Sequence, residues 1–550
     1  MTGKKRIGDL LMDSGLITSE QLEEALEQQQ QTKMRLGDLL ISNGMITEHQ
    51  LMEALELQLG IPLVHLAQYP FDSRVIALIP AKTEKDYRVI PLSIEQNKLI
   101  LAMTDPLDYT AIEEINLITG MRVEPVIARK DEIMYAIRRH YDVQETIDRI
   151  TSALSDEGKR GKTVHEQDSP VIYAVNQLIE QTVELGASDI HLDPQADGMQ
   201  VRYRIDGMLR TEFILPLHMH GVITARIKIL GEMDVAEKRL PQDGRMNLMI
   251  GNRKIDIRIS SLPTIFGEKI VMRVLDLSQL IVGLEQLDMT PHHLDLFKQA
   301  VYNNHGAVFI TGPTGSGKST TLYAALSQLN REEVNMITIE DPVEYQIEGV
   351  NQVQVNPAAG LTFASGLRSI LRQDPNIIMV GEIRDKETAE ISIRAALTGH
   401  LVLSTLHTND AVNALTRLMD MGVEPYLVAS AVNCVVAQRL IRKICSNCKL
   451  SYEPKQDERI LLEQHGLSAE LLYRGSGCYE CGQTGYKGRL AVHEVLLLDN
   501  ELRAMIMQMK SDSEYRSYAL DHGMQSILHD GLVKAIQGWT TIEQVYRIKN

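Results

Sequence analysis

The stretch VFITGPTGSGKST, residues 308–320, decides the fold of the larger part of this chain. An apolar strand leads into the pattern GxxxxGK[ST], from Gly312 to Ser319, and the helical sequence LYAALSQL follows. In such a loop the glycines let backbone N–H groups turn inward around phosphates, the lysine reaches the terminal phosphates, and the hydroxyl binds Mg²⁺. A chance glycine turn would leave the flanking strand and helix unexplained. The sequence therefore predicts an ATP and Mg²⁺ site that includes Gly312, Thr314, Gly315, Ser316, Gly317, Lys318, Ser319 and Thr320.

A second apolar strand ends in one carboxylate. In NIIMVGEIRD, residues 376–385, Gly381 occupies the position where an aspartate is usual, so Glu382 is the acid at the strand end. Glu382 is therefore the candidate that polarises the attacking water. An exposed surface glutamate is the alternative interpretation.

The segment TIEDPVEY, residues 338–345, adds three carboxylates after an apolar stretch: Glu340, Asp341 and Glu344. Carboxylates beside a magnesium phosphate are expected to coordinate the ion or its waters.

Two histidines lie on either side of a predicted strand in TGHLVLSTLHTND, residues 398–410. His407 follows the strand and is placed to sense the γ-phosphate, while His400 precedes it. A lone histidine is more often structural, so His407 gains its interpretation from the motifs around it.

Composition limits the class of protein. With 56 basic and 73 acidic residues among 550, the net charge is −17, which argues against nucleic acid as the main partner. No run approaches 18 consecutive apolar residues, and the start MTGKKRIGDL lacks the apolar core of a signal peptide. We therefore expect a cytoplasmic chain that reaches a membrane only through protein partners.

Four of the five cysteines form two CxxC pairs, and 29 residues separate the pairs. Four thiolates in two such pairs suit a closed, structural Zn²⁺ site, since redox exchange would need only one pair. The predicted ligands are Cys445, Cys448, Cys478 and Cys481. Cys434, in AVNCVVA, is predicted to be a buried small hydrophobe in an apolar helix.

Periodicity and composition divide the chain into a multidomain α/β protein. A small α-helical repeat comes first and an α/β domain second; a linker, an antiparallel α+β domain, a parallel α/β domain, a cysteine module and a helical C-terminus follow. The predicted boundaries are 1–59, 60–141, 142–169, 170–290, 291–442, 443–485 and 486–550.

The phosphate loop, TIEDPVEY, GEIRD and the histidine segment occur in the same order in the secretion ATPases that power type II secretion and type IV pilus assembly, and residues 170–550 resemble that family. Its members share the glycine at the Gly381 position. The resemblance implies a homohexamer with active sites between subunits, built from a PAS-like domain and a RecA-like P-loop domain. It also implies arginine fingers from the PAS-like domain, which match Arg258 and Arg273. The residues alone would not favour these two over Arg202, Arg204, Arg239 or Arg245.

The opening of the chain is duplicated. RIGDLLMDSGLITSEQLEEALEQQ, residues 6–29, returns as RLGDLLISNGMITEHQLMEALELQ, residues 35–58, with 15 of 24 positions identical. Each copy predicts a turn that ends in glycine and then a helix that begins with a T-x-x-Q capping box. Two helical hairpins packed as an adaptor would explain the leucines, but not why Arg, Gly and Gln recur at the same offsets. A ligand with two similar halves would explain all three.

The repeated pattern resembles the cyclic di-GMP module of the ATPases that assemble mannose-sensitive haemagglutinin (MSHA) pili, a module that some type II secretion ATPases share. The resemblance implies contacts from Arg6, Ile7, Gly8, Leu22, Leu26 and Gln29, and from Arg35, Leu36, Gly37, Asp38, Leu51, Leu55 and Gln58, with Asp105 as a weaker candidate for a guanine contact.

The interpretation is a hexameric ATPase that drives MSHA-like pilus assembly through an inner-membrane platform protein, with cyclic di-GMP as the permission signal. A type II secretion ATPase is the first alternative. A retraction motor fits less well, because such motors typically lack the long N-terminal region and the cysteine module. A RecA-type motor stimulated by nucleic acid is the alternative from another class.

Overall fold

The computed structural model describes residues 7–32, 36–46, 48–64, 66, 69, 73–76, 78–130, 132–134, 136–137, 170–276 and 283–548. The predicted linker over 142–169 therefore lies outside the described residues, as do Arg6 and Arg35. Contacts divide the chain into two compact units, residues 1–176 with 477–484, and residues 177–476 with 485–550. Each unit is described by itself below.

A seven-stranded sheet carries the phosphate-binding stretch. Its order is β12-β11-β13-β14-β10-β15-β18, and every neighbouring pair is parallel except β15 and β18. Along β10, Phe309 packs into one apolar core while Val308 and Ile310 pack into another. Both faces are thus buried, which explains why its strands read as continuous apolar runs. The strands are β10 (Gly306–Thr311), β11 (Met336–Glu340), β12 (Asn351–Gln354), β13 (Ile377–Val380), β14 (Leu401–Leu406), β15 (Val432–Ile444) and β18 (Tyr486–Leu497).

Helices that alternate with these strands, or come after the last of them, complete this part of the chain. They are α10 (Pro291–Val301), α11 (Lys318–Leu329), α12 (Phe363–Ile370), α13 (Lys386–Leu397), α14 (Ala411–Asp420), α15 (Pro425–Ala431), α16 (Gln456–Gln464), α17 (Asn500–Met507), α18 (Asp512–Asp521), α19 (Ile527–Ile536) and α20 (Ile542–Tyr546). A small antiparallel pair, β16 (Lys449–Tyr452) and β17 (Leu472–Gly475), lies between β15 and β18 in sequence.

Two predictions about this part were wrong. Residues 486–497, assigned to a helical C-terminus, form β18 and extend the sheet antiparallel to β15. Cys434 is buried as predicted, but it lies in β15 and not in a helix. A short apolar run is compatible with either element, and here the long pairing with β18 selects the strand.

A fully buried polar cluster ties three elements together. His293 of α10, His493 of β18, and Asp530 and Lys534 of α19 all have exposed fractions of 0%. Lys534 Nζ lies 2.7 Å from an Asp530 carboxylate oxygen and donates to the Ala491 carbonyl at 2.7 Å. Burial lowers the pKa of His493 to about 3, and the Lys534 charge acts in the same direction.

A six-stranded antiparallel sheet, in the order β6-β5-β4-β9-β8-β7, confirms the predicted α+β domain after residue 170. Ile255, Ile257 and Ile259 of β8 are buried at alternate positions, as one covered face requires, and Asp256 is buried on the opposite face. The elements are α8 (Pro170–Glu184), β4 (Asp189–Gln195), β5 (Gly198–Ile205), β6 (Met208–Leu215), α9 (Leu217–Leu230), β7 (Gln242–Ile250), β8 (Arg253–Thr264) and β9 (Gly267–Asp276).

The duplicated opening folds as two interlocked helical pairs. The helices are α1 (Ile7–Asp13), α2 (Ser19–Thr32), α3 (Leu36–Ser42) and α4 (Glu48–Leu59). Helix α2 contacts α3, and α1 contacts α4, so each copy packs against the other. The predicted capping box is confirmed in the first copy, where the backbone N–H of Thr18 donates to Gln21 Oε1 at 2.9 Å and that of Gln21 to Thr18 Oγ1 at 3.2 Å.

The α/β segment that follows contains a three-stranded sheet in which β1 and β2 are antiparallel and β2 and β3 are parallel. Its elements are α5 (Ser73–Ile76), α6 (Ala81–Tyr87), β1 (Val89–Glu95), β2 (Lys98–Met103), α7 (Tyr109–Thr119) and β3 (Arg122–Ile127).

Candidate functional site

The phosphate loop lies at the carboxyl end of β10 and runs into the N-terminus of α11. Gly315 and Gly317 have φ angles of 79° and 87°, which favour glycine. A Cβ on Gly312 would lie 2.4 Å from the carbonyl oxygen of Gln438, so no larger residue fits there. The loop therefore presents backbone N–H groups at a helix N-terminus, an arrangement that binds anions.

The lysine and one hydroxyl of this loop are poised for a ligand. Lys318 Nζ donates to the carbonyl oxygens of Gly312 at 2.8 Å and Pro313 at 3.1 Å. Burial lowers the pKa of Lys318, and the charge of Glu382 opposes that change. Ser316 Oγ is buried and has no hydrogen-bond partner within the described residues.

Three further loop residues, Thr314, Ser319 and Thr320, are exposed. A glycine cradle, a buried lysine and exposed hydroxyls at one helix N-terminus together fit a magnesium nucleotide.

Gln438 braces the loop from β15, and the sequence interpretation missed it. Its side chain is 3% exposed. Gln438 Nε2 donates to the Ser316 carbonyl at 2.9 Å, and its Oε1 accepts from Thr321 Oγ1 at 2.7 Å. One amide therefore ties the loop to the first turn of α11. A single glutamine in VVAQRL carries no sequence signal of this role.

The predicted catalytic carboxylate lies beside the predicted sensor histidine. Glu382 Oε2 is 3.3 Å from His407 Nε2 and accepts from Arg384 Nε at 2.7 Å. The hydrogen bond to Glu382 raises the pKa of Arg384, and the charge of Asp341 adds to this effect. Of the two predicted histidines, His407 reaches this carboxylate, while His400 Nδ1 lies 2.9 Å from the carbonyl oxygen of Ala395.

Gly381 lies against the neighbouring strand. A Cβ there would be 3.3 Å from the Ile339 carbonyl oxygen and 3.4 Å from Glu340 Cα. A side chain at this position would therefore crowd the backbone of β11, which favours glycine where an aspartate is usual.

Glu340 is surrounded by protein donors. It is 4% exposed, and it accepts hydrogen bonds from the Tyr323 hydroxyl, from Thr338 Oγ1 at 2.5 Å and from Gln352 Nε2 at 3.2 Å. Burial raises its pKa, and these hydrogen bonds oppose the change. Such a carboxylate anchors the end of β11. The next residue, Asp341, is exposed, and magnesium contact by either carboxylate stays a prediction.

The third carboxylate of this segment pairs with a predicted arginine finger. Arg258 Nη2 lies 2.5 Å from Glu344 Oε2 within the same chain. Beside this ion pair, a cavity of about 1120 Å³ separates β7 and β8 from the segment 343–354; Arg245 and Lys254 line it from the sheet. A delivery of Arg258 to a neighbouring subunit stays a prediction.

Four arginines and one aspartate form a row straight across the six-stranded sheet. Strand register places the following residues opposite one another in turn: Arg204, Asp189, Arg273, Arg258 and Arg245. Directly opposed residues share one face of a sheet. The two fingers implied by resemblance are thus neighbours in this row, and Arg204 and Arg245 flank them, while Arg202 and Arg239 lie elsewhere.

In the duplicated opening, the recurring glycines face leucines. A Cβ on Gly8 would lie 2.8 Å from Leu22 Cδ1, and one on Gly37 would lie 2.7 Å from Leu51 Cδ2. Both glycines lie in helices, α1 and α3. Each glycine lets a leucine pack closely on its helix, but the atoms it faces are the ends of flexible side chains. The recurrence of glycine therefore fits the adaptor and the ligand interpretations equally.

The other predicted cyclic di-GMP residues occupy equivalent helices of the two copies. Ile7 lies in α1 and Leu36 in α3; Leu22, Leu26 and Gln29 lie in α2, and Leu51, Leu55 and Gln58 in α4. Leu26 is 40% exposed. Arg6 and Arg35, and the side chain of Asp38, lie outside what the structure describes. Asp105 Oδ1 accepts from the Leu107 backbone N–H at 3.0 Å in the turn before α7.

The four predicted zinc ligands come together. Their sulfur atoms all lie within 4.8 Å of one another, and the cysteines are buried. A tetrahedral Zn²⁺ with Zn–S bonds of about 2.3 Å requires sulfur atoms about 3.8 Å apart. Cys478 Sγ and Cys481 Sγ are separated by 3.7 Å, so the cluster fits a structural Zn²⁺.

Among the helices that the structure describes, none has the length and apolar character needed to cross a bilayer.

Comparison with protein families gives two matches. Residues 164–547 match the model described as type II/IV secretion system protein, which is more than half of the chain. Residues 59–147 match the MshEN domain, so this match begins just after the second repeat ends at Gln58.

Similar proteins of known name cover most of the chain. The type IV pilus assembly ATPase PilB of Myxococcus xanthus is 40% identical over 555 residues, which cover 98% of each chain. The type II secretion system protein E of Xanthomonas campestris pv. campestris is 42% identical over 505 residues, 89% of this chain and 88% of that one. Among solved structures, the ATPase DotB of Yersinia pseudotuberculosis has a TM-score of 0.51 at 20% identity, over 71% of this chain and 95% of that one, which is a likeness of fold.

Proposed function

The chain belongs to the family of type II/IV secretion system proteins and is an ATPase, and from that premise we propose that it hydrolyses ATP to power assembly of a type IV pilus. The observation that carries this choice is the extent of the match with the pilus ATPase PilB, which includes 98% of both chains and therefore the duplicated opening. Type II secretion is the second candidate, because the secretion protein E of Xanthomonas campestris matches 89% of this chain. The MshEN domain favours a pilus of the MSHA type.

The residues around the phosphate loop divide the chemistry between them. Lys318 and the loop N–H groups hold the phosphates, and the Ser319 hydroxyl is the ligand offered to Mg²⁺, which screens charge as the terminal phosphate transfers. Glu382 acts as general base toward the attacking water. Its contacts with His407 and Arg384 are both at Oε2, so we assign Oε1 to that water. His407 then reports on the state of the phosphate through the same carboxylate.

Activity requires an oligomer, in this proposal a homohexamer with sites between subunits. Arg258 and Arg273 lie side by side on one sheet face, the arrangement needed to present two guanidinium groups to one phosphate. Arginine fingers of this kind accelerate phosphoryl transfer by about 10³ to 10⁵. Glu344 would release Arg258 when the arginine turns to the neighbouring site.

The duplicated opening is proposed to bind cyclic di-GMP as a permission signal for the motor. The recurrence of Arg6 and Arg35, and of Gln29 and Gln58, supports a ligand with two similar halves. The glycines do not separate a ligand from packing, because each of them also lies against a leucine side chain, Leu22 or Leu51.

The remaining assignments concern structure and location. We propose that the tetracysteine cluster holds a structural Zn²⁺, and that the chain acts in the cytoplasm, at the inner membrane, by docking on the pilus platform protein.

Deletion of the gene in the source bacterium tests the function. We expect surface pili to disappear while protein export continues, and the wild-type gene, but not Glu382→Gln, to restore the pili. Intact pili with lost export would assign the chain to type II secretion instead.

Calorimetric titration of the full chain with cyclic di-GMP tests the proposed ligand. We expect saturable one-to-one binding that is lost in both Arg6→Ala and Arg35→Ala, since one site built from two copies needs both. Absence of binding by the wild-type chain would make the repeat an adaptor.

A further inference from the structure

Two buried aspartates contact the arginines of this row, Asp189 from within the row and Asp256 from beside it, and each bridges two arginines. Asp189 is 7% exposed, and its two oxygens lie 3.3 Å from Arg273 Nε and 3.4 Å from Arg204 Nε. The second, Asp256, lies on β8 and has no exposed surface.

Asp256 lies two residues before Arg258 in the strand, so both side chains share one face of the sheet. Asp256 Oδ1 lies 2.6 Å from Arg245 Nε, and its Oδ2 lies 3.8 Å from Arg258 Nε. Both Oδ2 and Arg258 Nε are buried, and neither has a hydrogen-bond partner within the described residues. A buried donor and acceptor that face each other unpaired favour closing that gap.

The geometry of a guanidinium group lets Nε and the Nη atoms bind different partners. Nε lies on one edge, and the two Nη atoms form the fork that grips a carboxylate or a phosphate. In Arg258 one Nη atom contacts Glu344, whereas Nε faces Asp256. A carboxylate at Nε fixes the plane of the group and does not compete with a phosphate for the fork.

We propose that Asp256 is a positioning residue that holds Arg258 by Nε and aims its Nη fork at the phosphate of the neighbouring subunit. This inference rests on the proposed role of Arg258. Asp189 supports Arg273 in the matching way. The alternative is that Asp256 only neutralises charge between β7 and β8, in which case Arg245, its closer partner, carries its effect.

A double-mutant cycle on the full chain distinguishes positioning of Arg258 from charge neutralisation through Arg245. The steady-state kcat and KM for MgATP are measured for Asp256→Asn, Arg258→Gln and the double variant, and for Arg245→Gln with and without Asp256→Asn as the matched control. We expect Asp256→Asn to lower kcat by about tenfold to a hundredfold, as small misplacements of catalytic groups do, with KM changed by less than about twofold. In the Arg258→Gln background the same change is expected to have less than about a twofold effect, whereas in the Arg245→Gln background it keeps its full effect.

The outcomes are distinct. If Arg258→Gln leaves kcat unchanged, the proposed function loses its arginine finger. If Arg258→Gln lowers kcat but Asp256→Asn lowers it equally in both Arg258 backgrounds, or acts only through Arg245, the positioning inference is wrong and the finger stands. Should Asp256→Asn fail to fold, Asp256→Glu keeps the charge and displaces the carboxylate; wild-type kcat in that variant would also overturn the inference.

Discussion

Glycines in the phosphate loop and glycines in the duplicated opening look alike in sequence but lie against different kinds of atoms. Gly312 has a φ of 149°, and the atom that excludes a side chain there is the Gln438 carbonyl oxygen, which is backbone of a strand paired on both sides. Gly8 and Gly37 lie in helices, and what excludes a side chain is a leucine methyl group. A recurring glycine therefore indicates function only when the atom it faces is backbone or ligand.

Among the variants that test this comparison, Gly312→Ala is expected to have the largest effect, a loss of ATPase turnover. The added Cβ would displace the loop from Gln438, and misplacement by about 1 Å costs about a hundredfold in turnover. Steady-state ATPase assays on the full chain provide the measurement. Gly315→Ala is the control: it is strained by its φ of 79° but meets nothing within 4 Å, so we expect a loss of at most about tenfold. Equal losses in the two variants would contradict the packing argument.

The buried polar cluster around His493 predicts that the stability of the larger unit depends on pH. The pKa of His493 is about 3 in the folded chain, against about 6.5 when unfolded. Between these values the unfolded chain binds more protons, so stability falls as the pH falls. From pH 7.5 to 5.0 the larger unit should lose about 2 kcal/mol from this group.

Urea unfolding followed by the fluorescence of Trp539, the single tryptophan, checks this loss. His493→Leu removes the titrating group and should reduce the loss. A loss of the same size in that variant would assign the pH dependence to other groups.

Gly37→Ala should have the smallest effect. Alanine favours the helix by about 1 kcal/mol, but crowding of Leu51 costs about 1–3 kcal/mol. The net expectation is that the free energy of local unfolding of α3 and α4 falls by about 1 kcal/mol, as measured by hydrogen exchange.

The double variant Gly37→Ala/Leu51→Val conserves volume, and its stability should return. Because Leu51 is itself a predicted ligand contact, Leu51→Val alone is the control. If cyclic di-GMP binds Leu51→Val but not the double variant, the glycine serves the ligand as well as the packing.

How much of the fold and of the site the sequence predicts depends on how far apart the interacting residues are along the chain. The phosphate loop, the Thr18 cap and the two CxxC pairs are local, and the structure places each as expected. The arginine row depends on strands that are far apart in sequence, so no local pattern separates Arg245 from Arg258. Gln438 acts through tertiary contacts alone.

Strand β18 shows the same limit. It pairs with β15 across the whole cysteine module, so no pattern within residues 486–497 identifies its partner strand.

Because β10 is an interior strand of the seven-stranded sheet, the order of synthesis determines when it can pair. Its two neighbours, β14 and β15, begin at Leu401 and Val432, long after Thr311 has left the ribosome. At about 5–20 residues per second, an apolar strand waits roughly 5 to 20 s for its first partner. During that interval the nascent chain exposes the segment that later carries the phosphate loop. An apolar strand left unpaired in this way is prone to aggregate until its partners are made.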